Sequence, residues 1–295
     1  MNTMKKSFLV LLMLVAAGAV SSAAGRLVVD SLESRILGTT VKCNVYLPDG
    51  FDKSQDHYPV IYLLHGLTDT WDGWQKRGHM KGVADDLMSS GESAKAVIIM
   101  PNAGHPDMHN EWNGYFNMPG WNYEDFFFQE LMPLLEARYR CGGSKGQRAV
   151  MGLSMGGGGS VVYCQRHPDS FSSCYAMSAW LDNKFSEVVD SAARKANEGS
   201  KDKFALVCEA VREHSALDFV DNASQETLDA LRTVAWTIDC GDDDFLLKLS
   251  VDLYYKMTAR GVKAEFRVRN GGHVWEYWHQ ALRLALPFAS RHFSD

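Results

Sequence analysis

The sequence predicts an α/β fold, a doubly wound and mostly parallel sheet with helices on both faces. Two observations carry that prediction. Short, nearly continuous apolar runs recur along the chain, each ending at polar or glycine residues, as strands buried on both faces of a parallel sheet require. Amphipathic helical patterns lie between them, so strand and helix alternate. The chain is long enough to house such a sheet in one domain, with 295 residues of which 46% are hydrophobic and 22% charged.

Taken in order, TTVKCNVYLPDG opens the pattern, with Val41, Cys43, Val45 and Leu47 alternating before a Pro48-Asp49-Gly50 turn. This reads as a half-buried strand near a sheet edge, one of the antiparallel strands that open the sheet. YPVIYLLHG and KAVIIMPN follow as buried strands, and RAVMGLS, SSCYAMSA and TVAWTIDCG repeat their form. KAEFRVRNGG supplies one more strand. Helical patterns cover Asp125 to Arg138, Gly157 to Arg166, Phe245 to Arg260 and Val274 to His292. Residues 182–225 break the alternation with a polar, charged, helical stretch. That segment reads as a helical cap inserted over one end of the sheet; a longer crossover with no lid role accounts for it equally well.

The first 24 residues follow a different logic. Lys5 and Lys6 precede an apolar run from Phe8 to about Val20, and small residues close it at Ser22-Ala23-Ala24, the pattern of a cleaved secretory signal. The run is too short for a membrane span. No cysteine follows it before Cys43, so there is nothing for lipoprotein acylation to use. The expectation is an exported protein, periplasmic or extracellular, whose mature domain spans residues 25–295. A formal charge of -6 without a basic run gives no reason to expect nucleic acid as a partner. Cys43, Cys141, Cys164, Cys174, Cys208 and Cys240 are even in number but widely spaced in apolar surroundings, so buried thiols and disulfides both remain open.

The chemistry starts at VMGLSMGG. Ser154 follows a buried strand and precedes a helix, with Gly152 and Gly156 two residues away on either side: G-x-S-x-G in its strand-turn-helix context. So tight a turn strains the serine backbone, and absent side chains at the flanking glycines let the chain pass. A phosphate-binding loop would want a lysine after the last glycine, where Ser160 stands instead. A serine hydroxyl needs an adjacent base, and the base needs an orienting acid. GDDDFLL and NGGHVWEYW, each after a strand, supply these in the order Ser154, Asp244, His273. Asp244 is chosen because its offset from Gly241 puts it at the tip of the turn, with Asp243 as the alternative. The amides of Met155, after the nucleophile, and of Leu67, in YLLHGLTDTWDGW, would form the oxyanion hole. His65 reads as a support for that loop.

Aromatic residues gather near these motifs: Trp71, Trp74, Trp112, Tyr115, Trp180 and Trp275. Trp112, Trp180 and Trp275 are the candidate substrate-binding residues, whereas Tyr277 and Trp278 read as packing for the last helix. His105, Asp107 and His109 have ligand-like spacing, but their glycine- and proline-containing loop reads as surface or pocket wall. No metal or cofactor is expected.

Together YLLHGLTDTWDGW, GLSMGGGGS, DCGDDDFL and GGHVWEYW, with GWNYEDFFFQELMPLLEARY between them, resemble the putative-esterase (esterase D-like) family of α/β hydrolases. That family includes feruloyl and acetylxylan esterases of carbohydrate esterase family one, tributyrin esterases, S-formylglutathione hydrolases and, more distantly, mycolyltransferases. The likeness runs from about Val41 to Phe288. It implies the α/β-hydrolase fold, Ser154 as nucleophile, His273 as base, Asp244 as its orienter, and an oxyanion hole at Leu67 and Met155. Export argues against a cytosolic thioester and favours feruloyl or acetyl esters on plant polysaccharides or their oligosaccharides. Acyl transfer to a sugar acceptor, or general short-chain esterase activity, would use the same catalytic residues.

Overall fold

The computed structural model describes residues 24–104, 114–182 and 203–294. Its centre is an eight-stranded sheet built from β1 (Arg26–Ser34), β2 (Thr39–Leu47), β3 (Val60–Leu64), β4 (Val97–Pro101), β7 (Arg148–Leu153), β8 (Ser173–Met177), β9 (Ala235–Gly241) and β10 (Glu265–Arg269). A ribbon of two short strands, β5 (Asn117–Met118) and β6 (Trp121–Asn122), stands apart from it. The strand order is β1-β2-β4-β3-β7-β8-β9-β10. Every pairing from β4 to β10 is parallel, and β2 pairs antiparallel with β1 and with β4.

The continuous apolar runs follow from this layering. Successive side chains of a strand point to opposite faces, and here both faces are covered. Val60, Tyr62 and Leu64 enter one core with Val150, Cys174 and Ala176. Ile61 and Leu63 enter the other with Ala149, Met151, Leu153, Tyr175 and Met177. The short helix α1 (Gly73–Lys76) leads into α2 (Met80–Ser90), which closes this second core with the C-terminal helix, α10 (Trp275–Arg291). The first core lies under α3 (Tyr123–Phe126), α4 (Met132–Tyr139), α5 (Met155–Arg166), α6 (Lys203–Glu213), α7 (Ala216–Asn222), α8 (Gln225–Leu231) and α9 (Leu247–Ala259).

Two elements depart in part from expectation. The strand at Thr39–Leu47 lies near the edge as expected, one place in because Arg26–Ser34 pairs along its whole length, but it is buried continuously from Cys43 to Leu47 rather than half-buried. The helix expected over 125–138 begins at Tyr123 and passes through a wider turn at Phe127–Leu131 before resuming at Met132. Pro133 lies just past that turn and has no N–H to give an α-helical bond to residue 129, which favours a shift of register there. In the segment 182–225, the described part forms α6 and α7. Ala216 N–H bonds the Leu181 carbonyl, and Gln165 of α5 bonds the Ala216 carbonyl, so α7 is fixed to the flank of the sheet.

All six cysteines are buried free thiols. Among the described residues no helix is long and apolar enough to cross a membrane. The leader expected over residues 1–24 lies, up to residue 23, outside the described residues.

Candidate active site

β7 delivers Ser154 at its carboxyl end. The serine backbone has φ 54° and ψ -116°, a left-handed strained conformation that costs about 1–3 kcal/mol. Its amide bonds the Met177 carbonyl at 2.9 Å, and its own carbonyl accepts from Gly158 at 3.0 Å and Trp180 at 2.9 Å, so three bonds hold the turn. The flanking glycines are required by close approach: a Cβ on Gly152 would fall 2.5 Å from the Gly156 carbonyl oxygen, and one on Gly156 would fall 2.6 Å from that of His65.

The loops after β9 and β10 converge on this serine. Ser154 Oγ–H is 2.9 Å from His273 Nε2, and His273 Nδ1–H donates to Asp244 Oδ2 at 2.9 Å and Oδ1 at 3.1 Å. Asp244 is 5% exposed, whereas Asp242 and Asp243 face solvent. Those two aspartates tie the loops together instead: Asp242 Oδ1 accepts from the Gly271 amide at 2.9 Å, and the Asp243 amide bonds the Gly271 carbonyl at 3.0 Å. Burial by itself raises the Asp244 carboxyl, but hydrogen bonds from His273, the Leu246 amide and Ser178 outweigh it and hold the group below the usual carboxylate range.

The loop after β3 forms the facing wall. Asp69 N–H closes a turn on the Gly66 carbonyl at 3.1 Å, and Leu67 within it lines the cleft beside Ser154. Met155 opens α5, where the first N–H groups have no acceptor inside the helix and its positive end faces the serine. His65 anchors the loop. Its Nδ1–H donates to the Gly66 carbonyl at 2.8 Å, its Nε2 accepts from the Ala103 amide at 2.9 Å, and the Tyr115 hydroxyl accepts from its backbone N–H at 2.7 Å.

Burial pushes the His65 imidazole down to about 4, with the Gly66 carbonyl and Asp72 opposing and Arg77 adding to the fall. The unfolded chain therefore takes up a proton near pH 6.5 that the folded protein refuses until about pH 4. Stability is full above pH 6.5 and falls as pH drops through that window, by about 3 kcal/mol from this group. Urea melts at pH 7 and pH 4.5 will show the loss, and His65→Gln will flatten the dependence. An unchanged slope in that variant would mean that other groups carry it.

The cleft over Ser154 has a volume of about 710 Å3 and is lined by both loops, by Phe245 and by the start of α10. Trp275 stands in its wall. Trp180 is half-buried, packed in part against the first core, and its backbone N–H bonds the Ser154 carbonyl. Trp112, like His105, Asp107 and His109, lies outside the described residues. Among the described residues no cluster of three or more His, Cys, Asp or Glu is placed to hold a metal ion. Trp74 and Tyr115 are buried, the first donating its Nε1–H to the Leu64 carbonyl at 2.9 Å.

Trp278, expected only to pack, does both jobs. Its Nε1–H donates to Ser178 Oγ at 3.0 Å, while its ring lines the cleft and stands edge-on to His273 at 4.9 Å. Sequence reasoning missed Phe245, which is 75% exposed with its ring 4.6 Å from that of His273. The available signal was a large apolar residue at the end of an acidic turn.

The family profile described as "Putative esterase" matches residues 34–289. The chain belongs to this esterase family. Its sheet is that of the α/β-hydrolase relatives, and the family is one of carboxylic ester hydrolases. A solved ferulic acid esterase is 45% identical, with a TM-score of 0.84, over 92% of this chain and 99% of that one. An endo-1,4-beta-xylanase/feruloyl esterase of Xylanibacter ruminicola is 30% identical over 47% of this chain and 19% of its own length. An esterase of Mycobacterium tuberculosis is 32% identical over 48% of this chain and 29% of its own. The chain thus spans less than a third of the length of those two curated relatives.

Proposed function

We propose that this chain is an exported serine carboxylesterase that removes feruloyl or acetyl groups from plant polysaccharides or their fragments. The observation that carries the reading is the unbroken hydrogen-bonded line from Ser154 through His273 to buried Asp244, opening on an aromatic-walled cleft. The similarity to a ferulic acid esterase over nearly the whole chain supports the acyl group. The leader-like residues 1–24 support export.

In this reading His273 Nε2 takes the Ser154 hydroxyl proton as Oγ attacks the ester carbonyl carbon. Negative charge moves to the carbonyl oxygen, where the Met155 and Leu67 amides meet it; each such donor supplies about 2.7–4 kcal/mol of transition-state stabilisation. His273 then gives its proton to the departing alcohol oxygen, leaving the acyl group on Ser154. Water, deprotonated in turn by His273, attacks the acyl carbon and releases the acid. Asp244 keeps the imidazole in the Nδ1–H tautomer and balances its transient charge. No step needs a cofactor.

The test is initial-rate hydrolysis of methyl ferulate beside a short acetyl ester, using protein recovered from the exported fraction, whose intact mass reports removal of the leader. A higher kcat/KM on methyl ferulate is the expected result. Preference for the acetyl ester would move the aromatic wall to the sugar side, and protein that retains Met1 would overturn export.

A further inference from the structure

The loop that faces Ser154 carries a charge that ester hydrolysis does not need. Asp69, two residues past Leu67, is 7% exposed. Gly66 touches both it and the serine: a Cβ on Gly66 would stand 3.6 Å from Ser154 Cβ and 4.0 Å from Asp69 Oδ2. A carboxylate so close opposes negative charge building on the substrate carbonyl oxygen. It packs closely on Gly73, where an added Cβ would fall 2.5 Å from Oδ1.

Arg77, at the end of α1, supplies the opposite charge. Its Nη2 forms an ion pair with Asp69 Oδ1, and its guanidinium lies over the Trp275 ring at 5.0 Å. Trp275 is held edge-on by Trp74 at 5.3 Å and by Trp278 at 5.4 Å. Arg77 and Asp69 line the same cleft as Ser154 and His273, together with Glu276. Asp72 nearby is paired with Lys76 rather than with Arg77.

We infer that Arg77 is a positioning residue for ester hydrolysis: by neutralising Asp69 it removes the negative charge that would otherwise oppose the oxyanion beside Leu67 and Met155. Trp275 keeps the guanidinium there although the side chain is 50% exposed. The inference rests on the serine esterase reading of this site.

The experiment measures kcat and KM on p-nitrophenyl acetate for the wild type, Arg77→Ala, Arg77→Lys and the double variant Arg77→Ala/Asp69→Asn, with thermal melts of each. Arg77→Ala is expected to lower kcat on the order of 30-fold while KM changes less. Arg77→Lys, which keeps the charge, retains more of the rate. The double variant, which removes the uncompensated carboxylate, regains most of the loss. A purely structural role would instead move kcat, KM and the melting temperature together in every variant, because removing the buried carboxylate also relieves an unpaired charge. Failure of the double variant to regain rate, or wild-type kcat in Arg77→Ala, overturns the inference. Should Arg77→Ala not fold, Arg77→Met keeps the stem over Trp275 and replaces it in both backgrounds. Ser154→Ala runs in parallel: full turnover there removes the esterase reading and this inference with it, whereas abolished turnover without recovery in the double variant removes only the inference.

Discussion

Ser154→Ala will lower kcat by about 10⁴-fold or more, because among the described residues no other hydroxyl is paired with His273 and the remaining catalysis comes from binding and the oxyanion donors. The fold should survive the change. The side chain removed is one hydroxyl that bonds His273 Nε2, while the backbone bonds to Met177, Gly158 and Trp180 are unaffected. Ser154→Gly goes further and relieves the strained φ of 54°, so it will be equally inactive but will melt higher, by about 1 kcal/mol of added stability. Loss of activity with a raised melting temperature separates chemistry from folding. Hydrolysis at the wild-type rate by purified Ser154→Ala would rule out the serine mechanism.

Asp244→Asn will lower kcat by about 10³- to 10⁴-fold near pH 7, and Asp243→Asn will leave it within a few-fold of the wild type. The two residues are neighbours with the same chemistry, so the contrast tests the geometry and not the motif. An amide at Asp244 can still hold the imidazole, but it can donate to Nδ1 and so favour the tautomer in which Nε2 carries the proton and cannot accept one from Ser154. It also loses the charge that balances the protonated imidazole. Asp243 faces solvent and contributes to the loop through its backbone, which the substitution leaves alone. The reverse result, with Asp243→Asn inactive and Asp244→Asn active, would mean that the loop after β9 takes another conformation in the working enzyme.

The order of elements was legible because parallel strands buried on both faces need long apolar runs, and VIYLL, VIIMP and the run before Ser154 have no polar position to hide. Arg26–Ser34 was harder to read, since it is an edge strand whose exposed positions carry the apolar Val29 beside Arg26, Ser31 and Glu33 and so give no clean hydrophobic alternation. Ser154 and His273 were readable from glycines whose absent side chains admit a close backbone. Asp244 was chosen from an offset in a run of three equivalent residues, which local chemistry cannot rank.

The sequence by itself determined the alternation of buried strands and helices, the strained turn that presents Ser154, and the order in which its acid and base follow. These are local or periodic properties, set by side-chain volume, backbone freedom and hydrophobic spacing. Only the tertiary structure decided which aspartate meets His273, that Trp278 faces the cleft, and that Arg77 and Asp69 pair beside the serine. Each of those depends on the direction of a side chain after distant loops have converged, and burial selects that direction through contacts that no single segment contains.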